Sequence, residues 1–534
     1  MHVRLKGSCV ICLMLIFFTR VAAQKYSISE FGAVPDTSLL STDAIQTAIN
    51  TCNKNGGGEV IIPPGNFKTG SIKLLSNVTL VLENGSILYG SKNLKDYKKV
   101  KTSFTSLRTQ DSILQLIYAD KATNTGIRGY GEINGQGSAF TSQPGDEGIK
   151  RPFLLRFILC KDVRVENVSL KSSPCWMQHY LACQRVTLRG LRIFNRANLN
   201  NDAIDIDGCK DVTISDIISD TEDDGITLKS TSGWITENVT ITNCIVSSRW
   251  NAIKMGTESN GGFKNIAISN CVIKSTSIMP WHDGITSTPL TGIALMITDG
   301  GILHNITISN IIINGCKAPL YIRLANRARP FLEGMPLVNV GEVAGISISN
   351  VHITNAGKNG CSFTGLPEHP LKHIRLSNIY MQSAGGGSDE DAARKVPEDP
   401  KGYPQANIWN PMPAFGFFVR HVTNVSFDNV ELNTETSDAR PAFYFDDAEM
   451  VTVKNSIIAN TNKNVPVLKL TSTRNSSFTG NIFRGKAKCL VQAEGAMNKE
   501  VFILNNYYRG VAEKIICSDT PGGAAGLIYK NNTQ

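Results

Sequence analysis

Short stretches in which apolar and polar residues alternate return again and again from residue 160 onward. Alternation with a period of two predicts β-strands. Most of the stretches end on Asn, a residue that tolerates the left-handed backbone of a tight turn. Each unit therefore reads as one strand and one turn. The units begin at Val163, Val186, Val212, Val239, Ile266, Ile306, Ile346, Ile374, Val425, Val451 and Val501.

The spacing of these units indicates the architecture. Starts at positions 186, 212, 239 and 266 lie 26 or 27 residues apart, and longer gaps later in the chain indicate inserted loops. This period is typical of the stacked coils of a parallel β-helix. A β-propeller is the alternative, but its blades need ~40 residues each. We therefore predict an all-β chain that folds as a parallel β-helix, a solenoid.

The first residues have the features of a secretory signal. Arg4 and Lys6 precede an apolar run from Cys9 to Phe18, and small residues follow at positions 21–23. We predict that residues 1–23 are removed and that the protein is secreted or periplasmic. Later stretches fall short of the ~18 uncharged apolar residues of a membrane helix, so no integral membrane segment is expected.

A different pattern separates this signal from the coils. Residues 41–49 begin with a helix-start signal, and residues 56–65 read as a glycine turn followed by a strand. We predict a short helix that caps the exposed end of the stack. The domains expected are residues 24–75, an N-terminal cap, and residues 76–534, the β-helix. The segment 385–411, with prolines and a charged middle, is predicted to be a loop over one face.

Charge and cysteine content exclude few classes of partner and of function. Without the signal the chain has 51 basic and 45 acidic residues, an excess that suits a polyanionic partner as well as ordinary solubility. The basic residues are scattered and lack interleaved aromatic residues, which disfavours nucleic acid. Eleven cysteines remain without a close CxxC pair. We expect them to be buried residues stacked on adjacent coils rather than a disulfide framework.

Acidic residues cluster where two coils are aligned. When the inward apolar positions of consecutive coils are superposed, Asp202, Asp224 and Asn251 fall in one column, with steps of 22 and 27 residues. Strands in a stack lie ~4.8 Å apart, so Asp202 and Asp224 are predicted neighbours, with Asp223 in the turn beside them. Lys229 shares a column with Asp207.

Neighbouring carboxylates repel each other when both are ionised, which raises the proton affinity of one and leaves the other charged. An acid and a base result, and cleavage of a glycosidic bond requires such a pair. The cluster is also compatible with a calcium site, with caps on strand ends, or with ion pairing to Lys229.

Several motifs together resemble glycoside hydrolase family 28, the polygalacturonase family. They are Asn200-Asn201-Asp202, the pair Asp223-Asp224, Gly131 to Gly137, and the segment from Phe31 to Gly65. The likeness extends from about residue 26 to at least residue 455. It implies a right-handed parallel β-helix, whose handedness the repeat alone cannot indicate.

The resemblance also implies roles for the acids. Asp223 matches the general acid, while Asp202 and Asp224 match the residues that hold the attacking water. The implied enzyme is a metal-independent, inverting glycosidase that cleaves α-linked galacturonate bonds in a pectic polysaccharide or oligosaccharide. We expect it to need no cofactor and to be a monomer.

The chain departs from the polygalacturonase pattern at two places. Asn251 stands near the position of a family histidine, and Ala294-Leu295-Met296 replaces a family Arg-Ile-Lys that holds a galacturonate carboxylate. Family members that act on rhamnogalacturonan also lack the histidine, and Thr227-Leu228-Lys229-Ser230 looks like their sequence after the acid pair. A rhamnogalacturonan-type hydrolase is therefore the second hypothesis for the function.

Further residues are candidates for substrate binding alongside Asn251. Lys254 and Arg323 point outward by strand parity and can pair with a uronate carboxylate. Trp176 and His179, about a coil before Asp202, can stack on or hydrogen-bond a sugar. His282, in an insertion between coils, is a candidate to replace the family histidine near whose position this chain has Asn251.

Two hypotheses from different functional classes stay open on the sequence. One is calcium-dependent β-elimination of the pectate-lyase type, in which the acidic turns would bind the metal ion. The second is a non-catalytic β-helix that binds carbohydrate.

Overall fold

The computed structural model describes residues 24–533, apart from 142, 144, 277–287, 337–338, 410, 461, 509, 512–513 and 519. The predicted signal lies outside these residues. Strands of successive coils pair in parallel and in register, and the chain forms a right-handed parallel β-helix. The predicted fold class is confirmed.

Three ladders of parallel strands run along the stack. The first ladder contains Ile72–Lys73, Ile113–Asp120, Phe153–Ile158, Gln178–Leu181, Ile204–Asp207, Ile226–Ser230, Asn251–Ser259, Thr291–Ile297, Ala318–Leu324, Cys361–Thr364, Phe417–Thr434, Phe443–Lys454, Leu468–Thr479, Val491–Glu494 and Ile516–Cys517. Lys99–Val100 adds an antiparallel strand beside Ile113–Asp120.

The second ladder contains Lys25–Ser27, Gly58–Ile62, Val78–Leu82, Thr123–Gly129, Lys161–Glu166, Gln184–Arg189, Lys210–Ser215, Thr236–Thr242, Gly262–Lys274, Ile302–Asn314, Glu342–Ala356, Leu371–Ser383, Lys499–Leu504 and Leu527–Lys530. The third ladder contains Gly65–Thr69, Ser86–Gly90, Glu132–Asn134, Ser169–Lys171, Arg192–Asn195, Ile218–Thr221, Ile245–Ser248, Ile457–Asn460 and Ile482–Gly485. Several long strands continue from one ladder into the next, as Phe417–Thr434 does through all three.

The asparagines that end the repeat units adopt the predicted backbone. Asn270, Asn310 and Asn350 have φ angles of 54°, 55° and 53°, in the left-handed region. Asn tolerates this conformation because its short polar side chain bonds locally. A coil can therefore turn sharply at the same point each time.

Helix α1 (Thr42–Lys54) covers the beginning of the stack. Its buried residues are Ile45, Ala48, Ile49 and Cys52, which lie on one face at helical spacing. This face packs against the first strands of the second ladder, so the terminal coil does not expose its core. The short 3₁₀ turns are Ile28–Phe31, Leu94–Asp96 and Gly137–Ala139.

Stacked apolar side chains fill the interior from end to end. Nine cysteines lie buried and unpaired among them, as expected, and Cys489 and Cys517 form a disulfide. Cys183 and Cys209 occupy equivalent points of adjacent coils, and the Cys183 amide donates to Cys209 Sγ at 3.3 Å. Within the described part of the chain, no helix is long and apolar enough to cross a membrane.

Residues 384–416 leave the stack between Leu371–Ser383 and Phe417–Thr434. They include the predicted loop, and their described residues, which leave out residue 410, contain one short helix, α2 (Asp389–Ala392). The segment returns across the outward face of the first ladder, which is the face that carries the acidic cluster.

Candidate active site

Three acidic side chains meet where two strands of the first ladder begin. Asp202 lies just before Ile204–Asp207, and Asp223 and Asp224 lie just before Ile226–Ser230. These strands pair with Ile204 opposite Ile226, as the sequence columns predict. One carboxylate oxygen from each of Asp202, Asp223 and Asp224 lies within 4.8 Å of the others. The coil register thus brings the predicted acids together.

Asp224 is held firmly by the next coil. Its Oδ1 accepts hydrogen bonds from the Nδ2 of Asn251 at 2.7 Å and from the Asn251 backbone amide at 3.3 Å. Its Oδ2 accepts from Lys254 Nζ at 2.6 Å. Burial on its own would lower the pKa of Lys254, but Asp224 and neighbouring acids hold it well above its usual range. Lys254 therefore stays cationic and fixes the orientation of Asp224.

Lys229 occupies the centre of a second group of charges. Its Nζ lies 3.9 Å from Asp202 Oδ2, 3.5 Å from Asp205 Oδ1 and 3.6 Å from Glu258 Oε2. It also lies 4.5 Å from the centre of the Trp176 ring. Burial lowers the pKa of Lys229, and Glu258, Asp205 and Asp202 more than reverse that effect. One ammonium group thus forms ion pairs with three buried carboxylates.

The environment of Asp223 differs from that of Asp224. Among the described residues Asp223 has no ion-pair partner within 4.0 Å, although Lys254 attracts its charge from further away. Burial, and then the charges of Asp202 and Asp224, hold the pKa of Asp223 well above its usual range. Burial and Asp205 also raise the pKa of Asp202, whereas Lys229 lowers it. Of the three acids, Asp223 is accordingly the one without a direct cation in the described part of the chain.

The acids line a cavity of about 350 Å³. Its wall contains residues from segments far apart in the chain: Arg108, Gly145, Glu147, Trp176, Leu199, Asn200, Asp202, Glu222, Asp223, Asp224, Lys229, Arg249, Trp250, Asn251, Lys254, Glu258, Tyr403 and Gln405. Of the predicted substrate-binding residues, the cavity contains Asn251, Lys254 and Trp176. Four cations and six acids face it.

His179 does not reach this cavity. It is completely buried behind Trp176, with its ring edge-on to the indole, and its Nε2 lies 3.1 Å from Asp207 Oδ2. Burial lowers its pKa to about 4. The structure thus places His179 outside the cavity, away from the predicted sugar contact, because its side chain points outward but Trp176 covers it.

Arg323 likewise lies outside the cavity. Its Nη2 donates to the carbonyl oxygens of Glu398 and Asp399 at 2.8 and 2.9 Å, and its guanidinium lies 4.1 Å from the centre of the Trp409 ring. It is only 1% exposed. The predicted uronate contact is replaced by a structural one, because the segment 384–416 folds over this coil. His282 lies outside the described residues.

Glu258 enters the site through a local irregularity. The first ladder pairs Leu228 with Met255 and Ser230 with Ser259, so Asn251–Ser259 takes four steps where its neighbour takes two. The two extra residues direct Glu258 into the cavity. Lys229, Arg108 and Arg329 hold the pKa of Glu258 well below its usual range, although burial alone would raise it. The strand repeat contains no signal for this bulge.

Arg108, Glu147 and Tyr403 are further cavity residues that the strand repeat does not predict. Each belongs to a segment between strands, where residues have no column to share. Arg108 reaches Glu258 Oε1 at 3.1 Å and lies over Trp176 at 4.8 Å. The number of residues in a loop does not determine where its side chains end.

The acid trio is also the group of described residues best placed to hold a metal ion. Lys254 and Lys229, however, already place ammonium groups 2.6 Å and 3.9 Å from oxygens of Asp224 and Asp202. A divalent cation would have to displace these charges or lie beside them, at a Coulombic cost. The arrangement favours proton transfer over metal coordination.

Known proteins resemble this chain in sequence. A probable polygalacturonase from Vitis vinifera is 29% identical over 223 residues, covering 40% of this chain and 45% of the relative. The exo-poly-alpha-D-galacturonosidase of Dickeya chrysanthemi is 34% identical over 136 residues, covering 24% and 22%. The chain thus spans less than half the length of these relatives.

Solved structures show the same fold. The exopolygalacturonase of Thermotoga maritima aligns with a TM-score of 0.59 and 21% identity, covering 77% of this chain and 93% of that one. A tailspike of E. coli bacteriophage HK620 aligns with a TM-score of 0.51 and 11% identity, covering 95% and 80%. The family model of glycosyl hydrolases family 28 matches residues 52–400, which include every coil around the acid trio. The chain belongs to glycosyl hydrolase family 28.

Proposed function

We propose that the protein is a glycoside hydrolase that cleaves α-linked galacturonate bonds in a pectic polysaccharide or oligosaccharide. The observation that carries this proposal is the asymmetry of the acid trio. Asp224 is bound by Asn251 and Lys254, whereas Asp223 has no cation within 4.0 Å among the residues that the structure describes, and its pKa is raised. Acid/base cleavage requires one carboxyl group of each kind.

The proposed roles follow from these environments. Asp223 holds a proton and donates it to the oxygen of the leaving sugar. Asp224 and Asp202 accept hydrogen bonds from a water molecule and direct it at the anomeric carbon, and one of these two carboxylates takes the proton that the water loses as the bond to the leaving sugar breaks. Lys254 keeps Asp224 in place, and Lys229 stabilises negative charge near Asp202. No cofactor takes part in this scheme.

Inversion at the cleaved carbon is part of the proposal. The nearest oxygens of the trio lie within 4.8 Å of one another, closer than the ~6.5–9.5 Å between the carboxyl groups of most inverting pairs. Support for inversion comes from the family resemblance and from two carboxylates that can share one water. NMR of the first product gives a direct test, because retention would place the initial anomeric signal in the substrate configuration.

An anionic sugar fits the cavity when an acid carries a proton. With four cations and six acids in the lining, a protonated Asp223 reduces the repulsion of a uronate. Arg108, which is about a third exposed, is the cation most accessible to a carboxylate. Trp176, Asn251 and Lys254 are proposed substrate-binding residues because they line the same cavity.

A rhamnogalacturonan-type substrate is the second candidate. Asn251 occupies the place near which polygalacturonases carry a histidine, and this departure favours it. Calcium-dependent β-elimination is disfavoured by the lysines beside Asp202 and Asp224. Export across a membrane, as the predicted signal implies, would bring the enzyme to plant cell-wall material.

The test is release of reducing sugar from purified polygalacturonan, rhamnogalacturonan and their oligomers, with and without a chelator. Hydrolysis of galacturonan that is indifferent to chelator supports the proposal. Cleavage of rhamnogalacturonan alone would select the second candidate. Unsaturated uronide products that require calcium would establish a lyase, and a folded protein inactive on every substrate would refute catalysis on pectin.

A further inference from the structure

The outward face of the first ladder is open to the cavity at the acidic coils and is covered by other residues just beyond them. Asp205, Thr227 and Lys254 form one column in the strand register, and Ala294 and Tyr321 continue it. Lys254 lines the cavity, whereas Ala294 and Tyr321 are 0% and 1% exposed beneath other residues. A sugar chain lying along this face would meet an obstacle at Ala294.

The obstacle is the segment 384–416. Its Ala406 packs in one apolar cluster with Ala294 and Tyr321. Further along the stack, Trp409 and Met412 pack on Phe418, which the strand register places two coils beyond Tyr321. The segment thus fills the face of the ladder on the C-terminal side of the acid trio.

One buried arginine and one partly buried arginine hold the segment to the coils. Arg323 donates to the carbonyl oxygens of Glu398 and Asp399, and Arg420 Nη1 donates to the Val396 carbonyl oxygen at 2.6 Å. The Asn326 amide adds a bond to the Pro400 carbonyl oxygen at 2.7 Å. Hydrogen bonds from charged donors are about twice as strong as neutral ones. The segment is therefore a fixed wall.

This wall directs two side chains into the cavity. Tyr403 and Gln405 are lining residues, and Tyr403 is 45% exposed with the Arg327 guanidinium 5.1 Å from its ring centre. An exposed aromatic ring and an amide at the end of a cavity suit a sugar ring, which offers an apolar face and hydroxyl groups.

The opposite end of the cavity is also closed. On the N-terminal side, the outward positions Arg156 and His179 are buried, and Arg156 Nη2 donates to the Arg108 carbonyl oxygen at 3.2 Å. Arg108 and Trp176 stand over this end. Both directions along the ladder are therefore obstructed.

We propose that the protein admits the end of a uronate chain rather than its middle, and that Tyr403 and Gln405 contact the bound sugar and limit how far it enters. This inference rests on the proposed hydrolytic function. The cavity volume of about 350 Å³ lies near the lower limit of ligand pockets, which span ~300–1,000 Å³. A polymer segment would need an exit on both sides.

The first experiment follows the digestion of polygalacturonan by viscosity, reducing-end release and product sizing. If chain ends are attacked, mono- or disaccharide appears from the first minutes and viscosity falls slowly for each bond cleaved. A rapid fall in viscosity with mixed long oligomers would overturn the inference and leave the hydrolase proposal intact. Absence of hydrolysis from every pectic substrate would instead refute both.

The second experiment replaces Tyr403, the aromatic residue of the wall. Tyr403→Ala is expected to raise KM for a short oligogalacturonide on the order of tenfold, which corresponds to ~1.4 kcal/mol of lost contact. Products longer than those of the wild type are also expected. Tyr130→Ala is the matched control, since Tyr130 is 70% exposed and does not line the cavity.

Equal KM values and identical products for the two variants would show that Tyr403 does not contact the sugar. Thermal unfolding of both variants checks that the wall stays folded. If Tyr403→Ala does not fold, the product sizes from the unmodified protein still decide between chain-end and internal attack.

Discussion

Two regions of the coil stack polar side chains from one coil to the next, and they differ in how those side chains find hydrogen-bond partners. At one turn, Asn270, Asn310, Asn350, Asn378 and Asn429 form an asparagine ladder in which each side-chain amide donates to the preceding one at 2.8–3.1 Å. On the outward face of the first ladder, carboxylates stack instead. There, Asp202 Oδ1 and both oxygens of Asp205 have no hydrogen-bond partner among the described residues.

The difference follows from the chemistry of the two groups. An amide both donates and accepts, so identical copies stacked one coil apart satisfy one another. An ionised carboxylate only accepts, so a stack of them needs cations and leaves some acids with raised pKa values. Repetition therefore stabilises the turn, whereas the acidic face is stabilised by Lys229 and Lys254 and carries the proposed chemistry.

The largest expected effect comes from removing the proposed acid. Asp223→Asn should reduce kcat by ~10²–10⁴-fold, the usual contribution of general acid catalysis. Asp211→Asn is the control, since Asp211 lies in the strand Lys210–Ser215, does not line the cavity, and accepts at its Oδ1 from Asn238 Nδ2 at 2.8 Å. An amide oxygen can accept the same bond. Comparable activity of both variants on the identified substrate would remove Asp223 from the mechanism.

The second largest effect is expected from removing the ammonium group of Lys254, which pairs with Asp224 on the acidic face. Lys254→Met leaves Asp224 buried without its ammonium partner, and such a loss typically costs ~3–5 kcal/mol of unfolding free energy. Lys454→Met removes a surface pair, Lys454 Nζ to Asp428 Oδ2 at 3.2 Å, and should cost ~0–1 kcal/mol. Denaturant unfolding measures both. Similar values would contradict the distinction between the two regions.

The pH dependence of activity sharpens the same contrast. The pKa of Asp223 is raised by burial and by Asp202 and Asp224, and the proposed mechanism needs its protonated form. The rate is therefore retained well above the usual carboxyl range and lost as pH rises through that raised pKa, about tenfold per unit. A profile of kcat/KM against pH checks this. A basic limb already falling near pH ~4, the ordinary range of an Asp carboxyl, would contradict the assignment.

Ionisation of Asp205 should lower the free energy of unfolding as pH rises. Burial raises its pKa to about 7, so the folded protein binds its proton more tightly than the unfolded chain. The unfolded state loses that proton near pH ~3.9, and between there and pH 7 this residue makes folding less favourable as pH rises. Asp205→Asn should flatten that part of the curve of Tm against pH relative to wild type, and an unchanged slope would exclude the effect.

The smallest effect is expected at the asparagine ladder. Asn310→Ala removes a donor and an acceptor and places Ala at a φ of 55°, at a cost of ~1–2 kcal/mol. Asn310→Gly loses the same bonds without the backbone strain and should cost less. Neither substitution should change kcat, because the ladder lies on another edge of the coil. A measurable loss of kcat would link the two regions.

The sequence predicted the site wherever residues obey the coil repeat. The columns of Ile204 with Ile226 and of Leu228 with Met255 appear in the structure, and they are enough to bring Asp202, Asp223 and Asp224 together. Parity also placed Lys254 on the outward face. Each success depends on spacing within regular strands.

The same reasoning failed where side chains depend on segments outside the repeat. Parity placed Arg323 on the outward face correctly, yet residues 384–416 engage it there. The place of His179 about a coil before Asp202 predicts a sugar contact, but Trp176 covers this side chain. The domain boundary at residue 75, the signal at residues 1–23 and the roles of the acids stay predictions.

By itself the sequence determined the β-helix, its turns and the meeting of three acids, because a period of about one coil converts distance along the chain into distance along the stack. Tertiary structure alone decided the cavity. Arg108, Glu258 and Tyr403 reach it from an irregular segment, a bulge and a long loop. Their positions depend on packing between segments remote in sequence, for which local patterns carry no information.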